Sequence, residues 1–145
     1  LYARRGPRLQ RARRMFESLA ADDAAAYEFF RETAAMNDSP QKTEQMALAV
    51  AAAVDVPREL TKVALAVLAD LRQLADKCNR YLLSDLLAAA ALSAAAVRLS
   101  DYNVRINARQ LDDDEQADDL RRSSRDDLRT AETLRDEIES AAAVE

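Results

Sequence analysis

The amino-acid sequence predicts an all-α protein, an antiparallel bundle of about five helices, and three observations carry that expectation. Its 145 residues include only one Gly and three Pro, little material for tight turns. Ala, Leu, Arg and Glu, all strong helix formers, are abundant, while β-branched and aromatic residues are scarce. Apolar residues recur at steps of three and four, the period of a helix with one buried face. A chain of this length fits one domain with a substantial core, so residues 1–145 are read as a single unit.

The elements follow from local signals. Leu9, Ala12, Phe16, Leu19, Ala26, Phe30 and Ala34 mark one stripe of a first helix over residues 7–36. "NDSP" ends it, and Ser39 with Pro40 makes an N-cap and first-turn pair for a second helix reaching about residue 54. "DVP" at 55–57 either restarts a third helix, capped by Asp55, or kinks a continuous one; the restart is the expectation. Leu60, Val63, Ala64, Val67, Leu71, Leu74 and Ala75 form its apolar face, which fades into a loop at "DKCNRY". Ser84 can cap a fourth helix running to about residue 110, with Asp85 in its first turn facing the positive end of the helix dipole. Asp112 and Glu115 stand in capping-box register before a last helix whose stripe is Ala117, Leu120, Leu128, Ala131, Leu134 and Ile138, extending to the C-terminus.

The fourth helix is unusual: small residues at 88–91 and 93–96 leave it without a bulky ridge. Such a rod suits the centre of a bundle, and it is apolar over more of its surface than one chain can cover. A homodimer interface is therefore expected.

Composition narrows the chemistry. There is no His, and the single Cys78 rules out both an internal disulfide and a thiolate metal cluster, so no metal site is expected. With no secretion signal and no uncharged apolar run of about 18 residues, a cytoplasmic protein without a membrane partner is the default. The chain begins at Leu1 rather than Met, so a natural N-terminus upstream is expected. Net charge is −5, with Arg4, Arg5, Arg8, Arg11, Arg13 and Arg14 crowding one end and acids dominating from Asp112 onward. The Arg cluster could hold a polyanion or simply be solvated; without interleaved aromatics, nucleic acid is not expected as a partner.

Proton transfer then falls to carboxylates, Tyr, Lys and Cys78. Asp23 stands on the first helix's stripe where a leucine would fit, with Tyr27 one turn later. It is either a buried acid suited to catalysis or an edge residue bonding an Arg. Ser84 and Asp85 read first as a helix start and second as a site. Asn103 and Asn107 share a face one turn apart and can orient a heterocycle or cross-link helix ends, while Arg105 points elsewhere. Asp85 and Asn103 lie about five helical turns apart, roughly 27 Å, so they cannot touch one small ligand within one subunit.

"DDAAAY" (22–27), "VPRELTKVALAVL" (56–68), "LLSD" (82–85) and "NVRIN" (103–107) occur together in this order. With these motifs the chain resembles the formiminotetrahydrofolate cyclodeaminase and methenyltetrahydrofolate cyclohydrolase family, from about Leu1 to Gln110 and more loosely beyond. The resemblance implies a helical, homodimeric domain acting on a tetrahydrofolate derivative as substrate, with no covalently bound cofactor. It implies Asp23 and Asp85 as acid/base candidates, and Tyr27, Ser84, Asn103 and Asn107 as substrate-binding ones. The family's glycine-rich segment would precede Leu1, and "CNRYLLSD" replaces its usual Gly-Asn-Pro-Asn-like approach to the Ser-Asp pair. Those two departures motivate an alternative, a non-catalytic bundle that keeps the fold for dimerisation or partner binding.

Overall fold

The computed structural model describes residues 2–142, with side chains from Arg5 onward, and among them four long helices and no strand. Helix α1 runs Tyr2–Ala34, α2 Pro40–Ala75, α3 Leu83–Asn107 and α4 Asp114–Ala142, with single 3-10 turns at Arg80–Leu82 and Ala108–Gln110. The Arg4 side chain and the stretch beyond Ala142, where the last helix was expected to continue, lie outside the described residues.

Four helices replace the expected five because α2 passes through Pro57 instead of restarting at Asp55. An interior proline removes the N–H that would bond the carbonyl four residues back, here that of Ala53. That carbonyl has another donor: Asn107 Nδ2, at the far end of α3, reaches Ala53 O at 2.8 Å. A tertiary hydrogen bond stands in for the local one, and the helix continues with Pro57 buried in its interior.

The caps are partly as expected. Ser39 Oγ accepts from the backbone N of Lys42 at 3.1 Å, ahead of Pro40 in the first turn of α2. Ser84 is not a cap. The turn at Arg80–Leu82, capped by Asn79 Oδ1 accepting from the Tyr81 N–H at 3.1 Å, feeds directly into α3 at Leu83. The cap of α4 is Asp113 rather than Asp112, its Oδ1 accepting from the Gln116 N–H at 3.0 Å. Helix α1 starts before Pro7, where Arg5 and Arg8 fasten its beginning to Asp70 of α2.

The centre of the bundle belongs to α2, not to the Ala-rich α3. Helix α2 packs against α1, α3 and α4, whereas among the described residues α1 packs against α2 alone. The main core joins Leu68, Leu71 and Leu74 of α2 to Leu86, Ala90 and Val97 of α3 and to Ala131 and Ile138 of α4. Ala64, Ala90 and Ala131 are fully buried, so their small side chains let these helices approach closely, as the alanine tract predicts. Each large aliphatic side chain fully buried there, such as Leu68 or Ile138, contributes about 1.5–3 kcal/mol. On α4 the buried positions Ala117, Ser124, Ala131 and Ile138 repeat every seven residues, the narrow seam of helices packed side by side.

Because α1 occupies another side of α2, α3 keeps its outer face uncovered. Leu92, Leu99, Tyr102 and Ile106 are exposed there in line with Ala88 and Ala95, Leu92 by 72%. Within residues 80–110 an 18-residue window has the mean hydropathy, 1.7, of a membrane span, but that window carries Asp85 and Arg98 and its inner face lies in the core.

Candidate functional site

Helices α1 and α3 flank α2, their backbones held apart among the described residues, and the gap between them is a cleft. Its volume is about 290 Å³. Asp23, Tyr27 and Phe30 line it from α1, Ala53 of α2 forms the floor, and Asn103 and Asn107 line it from α3, with Gln110 just beyond. Ala53 is small, which lets the cleft reach down to the α2 backbone. Four residues singled out in the sequence thus converge from two helices that are distant in the chain.

Their environments differ. Asp23 is exposed on the rim instead of buried on the α1 stripe, and among the described residues it makes no ion pair. The stripe turns Ala26 inward and leaves Asp23 on the neighbouring, open side, so neither of its expected settings, a desolvated acid or an Arg-bonded edge residue, is found. Tyr27 is 68% exposed, its ring available to a ligand. Asn107 is half-buried and anchored to Ala53 O, while Asn103 is exposed at the mouth. The expected cross-linking role and the expected ligand role of the amide pair are thus divided: Asn107 makes the link between helices, and both line the cleft. Arg105 does point elsewhere, donating Nε to Asp101 Oδ2 at 2.9 Å with its guanidinium over the Tyr102 ring.

Ser84 and Asp85 are exposed at the opposite end of α3 and do not enter this cleft. The sequence reading missed Phe30, Ala53 and Gln110. Phe30 was assigned to the core by its place in the stripe; Gln110 extends the amide series of Asn103 and Asn107 by one more turn, a spacing that could have identified it. Nothing local marks Ala53, whose role depends on what stands across from it.

The buried acids lie elsewhere. Asp70 is held by Arg5 and Arg8, the latter through Nε at 2.8 Å. Asp101, 1% exposed, accepts from Ser124 Oγ at 2.9 Å as well as from Arg105. Three of the six N-terminal arginines are paired, Arg5 and Arg8 with Asp70 and Arg13 with Glu17 at 3.0 Å.

A helical bundle with an amide-lined cleft and one uncommitted carboxylate on its rim is the class of protein these features define. The chain belongs to the formiminotransferase-cyclodeaminase family, whose profile matches residues 4–126. Its fold is similar to that of formiminotetrahydrofolate cyclodeaminase from Thermotoga maritima, with a TM-score of 0.80 and 22% identity over 92% of this chain and 65% of the other. The chain thus spans about two thirds of that structure's length. No curated protein matches the sequence.

Proposed function

We propose that the chain is a folate one-carbon domain of cyclodeaminase type, which closes 5-formiminotetrahydrofolate to the 5,10-methenyl form with release of ammonia. The observation that carries this reading is the convergence of Asp23, Tyr27, Asn103 and Asn107 in one cleft. Ring closure passes through a tetrahedral carbon bearing two ring nitrogens and the departing amino group. One nitrogen must lose a proton and the departing amine must gain one. A carboxylate free of any ion pair and open to the cleft can do both in turn, which is the role given to Asp23. The Asn amides offer donors and acceptors to a pterin, and Tyr27 offers a ring face. At about 290 Å³ the cleft sits at the small end of ligand sites, suited to the pterin with the remainder of the folate outside. The hydrolytic opening of methenyltetrahydrofolate crosses a related tetrahedral carbon and is the companion activity to assay.

The homodimer completes this reading. The exposed stripe of α3 runs through Leu92, Ala95, Leu99, Tyr102 and Ile106, a three-four spacing that fits a second copy. Asp85 and Asn103 lie on the same side as that stripe. In an antiparallel pairing with the two-fold axis between Leu92 and Ala95, Asp85 of the partner subunit comes level with Asn103. The roughly 27 Å that separates them within a chain is thereby removed, and Ser84 and Asp85 gain a role at the neighbouring site.

The test is to assay purified protein for loss of formimino- and methenyltetrahydrofolate, and then to mix two inactive variants, Asp23→Asn and Asp85→Asn. Mixed dimers retain one intact site, so activity is expected to return on mixing. Absence of both activities in the unaltered protein sinks the enzyme reading and favours the non-catalytic bundle. Activity that stays lost on mixing, with dimers present by light scattering, sinks the shared site. Leu99→Glu is expected to yield folded monomers.

A further inference from the structure

The bond from Asn107 to Ala53 lies at the floor of the cleft and owes its opening to a residue outside the cleft lining. In an uninterrupted helix the Ala53 carbonyl would accept from the N–H of residue 57, but that residue is Pro57 and has none. Ala53 is half-buried, and its carbonyl takes an outside donor because a backbone oxygen partly withdrawn from water and left unpaired is costly. Asn107 Nδ2 meets it at 2.8 Å. An amide has one nitrogen end and one oxygen end, so a partner that can only accept settles which end faces it. The nitrogen is turned to α2, and Oδ1 is the acceptor left to a ligand.

We infer that Pro57 is a positioning residue: by depriving Ala53 O of its helical donor it fixes the Asn107 amide, and the cleft floor thereby selects a ligand that presents an N–H donor to Oδ1. A lactam or amino-substituted nitrogen heterocycle has such a group; a ligand with only acceptors on that edge does not. The choice of a pterin as the natural ligand rests on the folate reading above, whereas the lock between Pro57 and Asn107 stands on geometry alone.

The experiment is a double-mutant cycle with Pro57→Ala and Asn107→Ala, read by chemical denaturation, alongside binding of 5-formyltetrahydrofolate, a stable folate. With Pro57 present, Asn107→Ala strands the carbonyl and is expected to raise the unfolding equilibrium constant roughly tenfold. In the Pro57→Ala background the restored backbone N–H at that position takes over, and the same change is expected to cost about twofold or less. Equal costs in the two backgrounds overturn the lock. Pro57→Ala alone is expected to weaken 5-formyltetrahydrofolate binding about three- to tenfold with the fold intact, and to shift the Asn107 side-chain amide resonances. Unchanged affinity together with unchanged amide resonances overturns the positioning role. If the unaltered protein binds no folate while the cycle shows coupling, the lock is upheld and the folate reading alone fails.

Discussion

The two ends of the contact between α1 and α2 treat a carboxylate in opposite ways. Near the start of α1, Asp70 is buried and gripped by Arg5 and Arg8. Near the other end, Asp23 is exposed beside the cleft and makes no ion pair among the described residues. A charge withdrawn from water must be matched by partners, and once matched it has little left to offer a substrate. The acid suited to chemistry here is the one the fold leaves uncommitted. Asp101 repeats the lesson on α3, its two oxygens taken up by Ser124 and Arg105.

Substitutions can break this contrast, and the largest effect is expected at the free acid. Asp23→Asn keeps size and shape but removes the proton carrier, so turnover is expected to fall about 100-fold or more, the ordinary contribution of a general acid/base group. Its denaturation midpoint is expected to match that of the unaltered protein; a large loss of stability would place Asp23 with the structural acids. Asp101→Ala is expected to do the reverse. It strands the Arg105 guanidinium and the Ser124 hydroxyl and is expected to cost about 3 kcal/mol in denaturant unfolding. For Asp70→Ala a comparable cost, about 3 kcal/mol, is expected, because Arg8 is 63% exposed and can return to water but Arg5, 16% exposed, is left without its carboxylate.

The finest test sits between the two extremes. Burial pushes the Asp127 carboxyl above its ordinary value, while Arg58 and Lys62 across on α2 pull it down. The folded protein therefore holds this proton more firmly than the unfolded chain. Stability from this group is present below the ordinary carboxylate value and is lost as pH rises through the folded one. Asp127→Asn removes that dependence, and a slight gain in denaturation midpoint near neutral pH, vanishing in acid, is the expected result. A loss near neutral pH would show that the attraction of Arg58 and Lys62 outweighs burial.

Much of the fold was legible because it rests on local signals. The three-four stripes of α1, α2 and α4, the Ser39 and Pro40 start, and the closely packed alanines of α3 follow from side-chain period and backbone chemistry. The candidate cleft was legible only in part. Asp23 with Tyr27, and Asn103 with Asn107, are pairs one helical turn apart, and a sequence exposes such pairs. That the two pairs face one another depends on α1 and α3 lying on either side of α2.

What the sequence by itself determined is the all-helical class, the boundary near Ser39, the three-four apolar stripe of the last helix, and the residue types available for chemistry once His is absent. Tertiary structure alone decided that Pro57 does not end a helix, that Ser124 belongs in an otherwise apolar seam, and that α2 takes the centre. The reason is common to all three. A proline, a buried hydroxyl and a small-residue helix face each carry a requirement, for a donor, an acceptor or a packing partner, and the group that meets it within the fold lies far away in the chain.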